Sequence, residues 1–172
     1  MVNILVVDDS AVLRQQVREA FEAVHSFKVH IIEADSGLGA LEVLKSTDIH
    51  LVICDLMMRD LDGYAFLTMK QTNPALANTP VIMLTAREEL EPLIACLSAG
   101  ASDYLRKPFQ PQELVARARA HVQLQKRRDE ALSAYDELDR YKIYQEKLLA
   151  SIPDSIIVLD PAENVTLVNN AF

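Results

Sequence analysis

The chain has 172 residues, with 17 Lys or Arg against 25 Asp or Glu, so its formal charge at pH 7 is −8. Half of the residues are apolar, and a chain of this length can bury a substantial core. The acidic balance argues against a protein that binds nucleic acid or anionic membranes over its whole surface. No apolar run approaches the roughly 20 residues that cross a bilayer. Two unpaired cysteines and the lack of a secretory signal favour a cytoplasmic protein.

Short apolar runs alternate with segments of helical periodicity in the first two thirds of the chain. The runs predict five strands at residues 3–7, 29–34, 51–54, 81–84 and 103–105. Helical spacing follows Ser10, Ser36 and Asp62, and a further helix from Leu90 ends at Gly100. Strands that alternate with helices and are apolar on both faces are typical of a parallel sheet with helices on both sides.

Polar side chains stand at the carboxyl ends of four of these strands. They are Asp8, Asp9, Asp55, Thr85 and Lys107. In an open α/β sheet, the carboxyl ends of the strands border the crevice that binds ligands. Clustered carboxylates suit a hard cation such as Mg²⁺, and a carboxylate next to such a cation can attack a phosphoryl group. A lysine and a hydroxyl would then bind the phosphate oxygens.

A long stretch without Gly or Pro follows, from residue 112 to residue 150, and predicts one unusually long helix. Its heptad pattern places a largely apolar seam along the helix. The seam residues are Leu124, Ala131, Leu138, Tyr141 and Leu148. Arg127 and Gln145 interrupt the seam, so the pattern indicates a coiled coil of moderate regularity.

The last residues predict a hairpin, with strands at residues 155–160 and 165–168. An isolated hairpin is marginally stable in water. We therefore expect the chain to stop inside a second domain.

The first 122 residues resemble the receiver domain of two-component response regulators. The resemblance rests on Asp8-Asp9-Ser10 after an apolar strand, on Asp55 followed by Asp62-Gly63, on Leu84-Thr85-Ala86, and on Tyr104 ahead of Lys107-Pro108-Phe109. These motifs stand in the order and spacing of the family. The resemblance implies an α/β, flavodoxin-like (βα)5 doubly wound parallel sheet with strand order 2-1-3-4-5.

The resemblance also implies a role for each motif residue. Asp55 would accept phosphate from a histidine kinase or phosphotransfer protein. Mg²⁺ would be bound by Asp9 directly, by Asp8 through water, by Asp55, and by the backbone carbonyl of Met57. Thr85 and Lys107 would contact the phosphoryl oxygens, with a cis bond between Lys107 and Pro108. Tyr104 would turn inward when Thr85 moves. Such a module is regulatory rather than an enzyme with its own substrate.

One position departs from the family pattern. Arg59 stands where the family usually has proline, four residues after the phosphoacceptor, and it adds a cation near the site. We expect this change to affect partner contacts or loop mobility more than metal binding. Met57 and Arg87 occupy positions that tune phosphate lifetime in the family.

The residues from 148 onward resemble the first strands of a PAS sensor domain. The predicted organisation is therefore a receiver domain at residues 1–122, a helical linker or coiled coil at 123–150, and the start of a PAS-like domain at 151–172. The basic run at residues 126–128 lacks a helix-turn-helix context. We therefore expect no direct nucleic-acid binding and no membrane association.

Two alternatives to a phosphorylation-controlled module fit the sequence less well. Phosphatases of the haloacid-dehalogenase type also use an aspartate nucleophile and Mg²⁺, but they carry Asp-x-Asp after the first strand, where this chain has Asp8-Asp9-Ser10. A phosphate-independent adaptor would not need all five polar residues.

We expect a homodimer formed through the long helix rather than through the receiver face. Some receivers pair through their fourth helix, fifth strand and fifth helix, using salt bridges between subunits. Asp103 and Arg117 match one such pair, but Leu93 replaces the basic partner expected for Glu113, and Ala99 replaces the acidic residue of a third pair.

Overall fold

The computed structural model describes residues 1–24, 27–86, 90–151, 157–159, 161 and 165–168. Contacts divide the chain into two compact units, Met1–Lys126 and Arg127–Phe172. The strands are β1 (Val2–Val7), β2 (Val29–Ala34), β3 (Leu51–Asp55), β4 (Val81–Thr85), β5 (Asp103–Arg106), β6 (Ile157–Leu159) and β7 (Val165–Val168). The helices are α1 (Ala11–Glu22), α2 (Gly37–Ser46), α3 (Gly63–Gln71), α4 (Pro74–Ala77), α5 (Leu90–Ser98) and α6 (Pro111–Ala150).

The first unit is built on a five-stranded sheet in the order β2-β1-β3-β4-β5. Every neighbouring pair in this sheet is parallel. The predicted flavodoxin-like fold, with strand order 2-1-3-4-5 and a long C-terminal helix, is confirmed. The strand order reverses between β1 and β3, and the crevice of such a sheet lies at this switch point.

Two cores cover the two faces of the sheet because side chains alternate along each strand. Leu5 and Val7 of β1 belong to a core completed by residues of α2, α3 and α5. Ile4 and Val6 belong to the opposite core, completed by residues of α1 and α6. Burial on both faces explains the unbroken apolar runs of the central strands.

Side-chain caps fix where three helices begin, and the sequence predicts those at Ser10 and Ser36. Ser10, Ser36 and Asp62 accept hydrogen bonds from the backbone N–H three residues ahead of them. Gly100 follows α5 with φ of 101°, a conformation that glycine adopts without strain. The sequence did not predict α4, because a four-residue helix is too short to show a period; Asn73 caps it and Pro74 begins it.

The long helix α6 changes its surroundings along its length. Leu114, Val115, Ala118 and Val122 are buried in the core of the first unit. From residue 123 to residue 148, every side chain except Gln125 is exposed. In the part of the chain that the structure describes, no helix is both long enough and apolar enough to cross a membrane.

The second unit contains an antiparallel pair of strands, β6 and β7, in which Ile157 pairs with Val168. This pairing is the predicted hairpin. Most of the predicted PAS-like segment (residues 152–156, 160, 162–164 and 169–172) lies outside the described residues, as does Arg87.

Candidate functional site

Three acidic residues lie at the switch point of the sheet. Asp8 and Asp9 directly follow β1, and Asp55 is the last residue of the adjacent strand β3. Asp8 is 1% exposed and Asp55 is 6% exposed. Carboxylates are this deeply buried only when other groups compensate their charge.

Lys107 compensates two of these charges. Its Nζ lies 2.9 Å from Oδ1 of Asp55 and 3.0 Å from Oδ2 of Asp8. The lysine follows β5 at the edge of the sheet, so its extended side chain carries the ammonium from the edge strand to the switch point. Because one ammonium is shared by both carboxylates, the structure brings together Asp8, Asp55 and Lys107. The peptide bond between Lys107 and Pro108 is cis.

The proton affinity of Asp55 reflects opposing effects. Burial raises the pKa of this carboxyl, and the neighbouring charge of Asp8 raises it further. The hydrogen bond and charge of Lys107 lower the pKa, as does a hydrogen bond from the backbone N–H of Met57. The net effect is a pKa above the usual value. The Met57 side chain itself is exposed.

Thr85 and Tyr104 face the same side of the sheet. Thr85 ends β4 and is fully buried. Tyr104 is opposite Met83 in the parallel register, and Met83 and Thr85 point to one face because they are two residues apart on the strand. Tyr104 is partly buried against the core on that face. The backbone N–H of Lys107 donates to the carbonyl of Thr85 at 2.7 Å. This hydrogen bond connects Lys107 with the end of β4, where the Thr85 hydroxyl lies.

Asp9 has a different counterion. Nε of Arg59 lies 3.0 Å from Oδ2 of Asp9, although the two residues are 50 positions apart in sequence. The Arg59 side chain is 85% exposed and that of Asp9 is 26% exposed. The residue that departs from the family pattern therefore contacts one of the predicted metal ligands.

Ser10 and Arg14 also make hydrogen bonds that hold the loop after β1. The backbone N–H of Ser10 donates to Oδ1 of Asp8 at 2.8 Å. Arg14 donates from Nη1 to the carbonyl of Asp8 at 2.7 Å, and from Nε to Glu33. The sequence predicted neither the role of Arg14 nor the contact of Arg59 with Asp9. Spacing could have placed Arg14 on the second turn of a helix that starts at the site, but nothing local indicates that Arg59 reaches Asp9.

Gly63 lies against the backbone of the candidate phosphoacceptor. A Cβ at this position would lie 2.3 Å from the carbonyl oxygen of Asp55 and 2.9 Å from Cα of Leu56. The N–H of Gly63 donates to the carbonyl of Leu56 at 3.0 Å. Glycine is therefore required for α3 to pack against the end of β3.

The oxygen atoms of this site fit Mg²⁺ in kind. Carboxylate and carbonyl oxygens are its preferred protein ligands, and Asp8, Asp9 and Asp55 supply three carboxylates at adjacent strand ends. Among the described residues, however, no three His, Cys, Asp or Glu side chains are arranged to hold a metal ion. Lys107 and Arg59 instead neutralise the carboxylates in this geometry.

The predicted dimer seam lies outside this site. Leu124, Leu138, Tyr141 and Leu148 are between 47% and 66% exposed, and Ala131 is also exposed. Such a row of exposed apolar side chains on one helix leaves a surface that other groups can cover.

The fold and the site together define a doubly wound α/β domain with a buried acidic cluster at its switch point. The family model described as the response regulator receiver domain matches residues 4–119. The chain belongs to this family, and its first unit is a response regulator receiver domain.

Similar proteins agree with this assignment. The chain is 38% identical to the response regulator MprA of Mycobacterium ulcerans over an alignment of 130 residues. This alignment covers 75% of this chain and 53% of that protein. The chain thus spans about half the length of the curated relatives it matches. A putative response regulator from Chloroflexus aurantiacus superposes with a TM-score of 0.65 at 32% identity, over 70% of this chain and 96% of that one. Chemotaxis protein CheY4 of Vibrio cholerae superposes with a TM-score of 0.63 at 27% identity, over 71% and 98%.

Proposed function

We propose that the chain is a phosphorylation-controlled signalling module of the cytoplasm, in which Asp55 accepts a phosphoryl group from a histidine kinase or a phosphotransfer protein. The observation that carries this proposal is the placement of Asp55, buried at the switch point and paired with Lys107, which also pairs with Asp8. When this carboxylate forms an acyl phosphate it loses its own negative charge, and the lysine that paired with it becomes available for the phosphoryl oxygens. The module is regulatory, and any catalytic output would come from another domain.

In the proposed transfer, a carboxylate oxygen of Asp55 attacks the phosphorus of a phosphohistidine. The new O–P bond forms as the P–N bond breaks, and the imidazole leaves with the electron pair and takes up a proton. Lys107 then pairs with the phosphoryl oxygens in place of the Asp55 carboxylate. The hydroxyl of Thr85 supplies a second donor at the end of β4.

A magnesium ion would neutralise charge on the phosphoryl oxygens during this transfer. The residues that would hold it are Asp8, Asp9, Asp55 and the backbone carbonyl of Met57. This assignment is supported by the oxygen donors that these residues supply. Binding of the ion requires that Lys107 and Arg59 release some of the carboxylate oxygens with which they pair.

The proposed output runs from Thr85 to Tyr104 and then along α6. Thr85 moves toward the phosphoryl group, and Tyr104 turns into the space that the threonine leaves. The proposed organisation is a receiver at 1–122, a helical linker at 123–150 and the start of a PAS-like domain at 151–172. Two chains pair through the seam of the linker, and the module binds neither nucleic acid nor membrane directly.

The test is phosphorylation by acetyl phosphate in the presence of Mg²⁺, followed by intact-protein mass. Asp55→Asn should abolish the added phosphoryl mass because an amide is a far poorer nucleophile. Asp60→Asn is the matched control, since Asp60 is an exposed aspartate of the same loop; it should be labelled like the parent. Chelation of Mg²⁺ should abolish labelling of the parent. Labelling of Asp55→Asn at the parental level would refute the assignment.

A further inference from the structure

The contact between Arg59 and Asp9 pairs a cation with a carboxylate that is proposed to bind Mg²⁺. Arg59 belongs to the loop between β3 and α3, and Asp9 to the loop after β1. Nε of the guanidinium lies 3.0 Å from Oδ2 of the Asp9 carboxylate, so a divalent cation that approaches this oxygen meets a positive charge already paired with it.

We propose that Arg59 is a built-in competitor of the divalent cation at Asp9, so that it sets the metal affinity of the site. This inference rests on the proposed function only in that Mg²⁺ binds at Asp9. It reverses the expectation, drawn from the sequence, that Arg59 affects loop and partner contacts more than metal binding.

The two counterions of the acidic cluster differ in how easily they can leave. The Lys107 side chain is 14% exposed and contacts two buried carboxylates. The Arg59 side chain is 85% exposed and contacts one carboxylate at the rim. An exposed ion pair contributes little free energy, and water solvates the guanidinium when it leaves the carboxylate. Arg59 can therefore be displaced at little cost.

The charge of the cluster sets the direction of the effect. Three carboxylates face two cations, Lys107 and Arg59, so the cluster carries one net negative charge. Without Arg59 it would carry two. A divalent cation is attracted more strongly to the cluster without Arg59, because that cluster carries two net negative charges. It also no longer needs to displace the guanidinium from Asp9. Coupling between two ligands of one carboxylate is reciprocal, so Mg²⁺ must also weaken the contact of Arg59 with Asp9.

The first experiment is isothermal titration calorimetry of the full chain with MgCl₂. We expect Arg59→Gln to bind Mg²⁺ about three- to tenfold more tightly than the parent, the range for loss of one exposed pair and one repelling charge. The gain should shrink as ionic strength rises, because exposed charges are screened. Lys45→Gln is the matched control. It removes the same charge from the exposed pair of Lys45 with Glu42 on α2, and should leave the affinity unchanged.

The second experiment follows the Nε–H resonance of Arg59 by NMR, assigned from its loss in Arg59→Gln. In the metal-free parent this proton should be protected from exchange by its bond to Asp9. Addition of Mg²⁺ should shift the resonance and speed its exchange. This readout does not depend on phosphorylation.

The outcomes separate this inference from the proposed function. Equal or weaker Mg²⁺ affinity in Arg59→Gln, with clear binding in the parent, would overturn the role of Arg59 and leave the proposed function intact. An Nε–H resonance of Arg59 that neither shifts nor exchanges faster at saturating Mg²⁺ would also overturn the role of Arg59 and leave the proposed function intact. Absence of Mg²⁺ binding in every variant would overturn both the inference and the proposed use of the metal.

Discussion

Nζ of Lys107, which directly follows β5, lies 2.9 Å from Oδ1 of Asp55 at the end of β3, although β4 separates these two strands in the sheet. This contact joins the edge of the domain to its switch point. It also compensates the charge of a buried carboxylate. A change in the charge of Asp55 therefore alters the ion pair of Lys107. The backbone N–H of Lys107 donates to the carbonyl of Thr85, so Lys107 connects Asp55 with β4.

Asp55→Asn should make the protein more stable at neutral pH. Burial raises the pKa of Asp55 in the folded protein, so the folded state binds its proton more tightly than the unfolded chain does. The free energy of unfolding then falls as pH rises from the unfolded value near 3.8 through the higher folded value. Asparagine removes this loss, so we expect a higher free energy of unfolding for Asp55→Asn than for the parent at pH 7.

Urea denaturation of parent and Asp55→Asn between pH 3 and pH 8 measures this effect. The stability difference should be close to zero at pH 3 and reach its full value above the folded pKa. Asp60→Asn, at an exposed position of the same loop, should show no such pH-dependent difference. A lower stability of Asp55→Asn at pH 7 would contradict the prediction.

Gly63→Ala should damage both stability and the site. The new Cβ would lie 2.3 Å from the carbonyl oxygen of Asp55, so either α3 or the end of β3 must shift. Overpacking of this kind costs about 1–3 kcal/mol, measured as a lower urea midpoint. Phosphorylation by acetyl phosphate should slow as well. In the control Gly39→Ala, the nearest atom is the Ser36 hydroxyl at 3.1 Å, and phosphorylation should be unchanged.

Thr85→Ala should separate phosphorylation from its conformational consequence. Phosphate at Asp55 shifts the domain only by its differential affinity for two states, and the Thr85 hydroxyl is proposed to supply that difference. We expect Thr85→Ala to accept phosphate nearly as well as the parent. The amide shifts that a phosphoryl analogue such as beryllofluoride induces in β5 and the first turns of α6 should be strongly reduced. Thr68→Ala, on the exposed face of α3, is the control, and equal shifts in parent and Thr85→Ala would refute the coupling.

The buried Lys70 should make the free energy of unfolding depend on pH with the opposite sign to Asp55. Its side chain is buried, and Nζ donates to the Ala77 carbonyl at the end of α4. Burial lowers the pKa of Lys70 to about 8. Between this value and the unfolded value of 10.5, the unfolded chain binds more protons, so the free energy of unfolding should rise with pH. Lys70→Met should lose the rise in urea denaturation between pH 8 and pH 10, whereas Lys45→Met should keep it.

The sequence predicted the sheet because its local signals agree with the tertiary structure. Unbroken apolar runs mark strands that are buried on both faces, and Ser10, Ser36 and Asp62 cap helices where short polar residues precede helical spacing. The order of the strands came from the resemblance, since periodicity does not determine which strands pair.

The contacts within the site could not be predicted in the same way. The pair of Arg59 and Asp9 spans 50 residues, and the pair of Lys107 and Asp8 spans 99. Such pairs depend on how far long side chains extend after the fold has formed. The resemblance to the family indicated that Lys107 lies at the site, because it matches a family motif. Arg59 stands where the family usually has proline, so the resemblance gave no expectation for its contact with Asp9.

We expect dimerisation to depend on α6 rather than on the face formed by α5, β5 and the first turns of α6. On that face, Arg117 donates to Asp103 at 2.8 Å and to Glu113 at 2.8 Å within the same chain. Burial acts to raise the pKa of Asp103, but the bonds from Arg117 and His121 outweigh it, so the pKa lies below its usual value. The charges matched to inter-subunit pairs are thus already satisfied inside one subunit.

The seam of α6, by contrast, exposes Leu124, Leu138, Tyr141 and Leu148, and a parallel two-stranded coil would bury all of them. We expect a chain that ends at Ala150 to be dimeric by analytical ultracentrifugation and a chain that ends at His121 to be monomeric. Leu138→Glu places a charge in the seam and should weaken the dimer at least about tenfold. Leu132→Glu is the matched control, because Leu132 is equally an exposed leucine of α6 but lies one position beyond the seam residue Ala131. If the shorter chain dimerised as tightly as the longer one, or if both leucine variants behaved alike, the coil would not be the contact that joins two subunits.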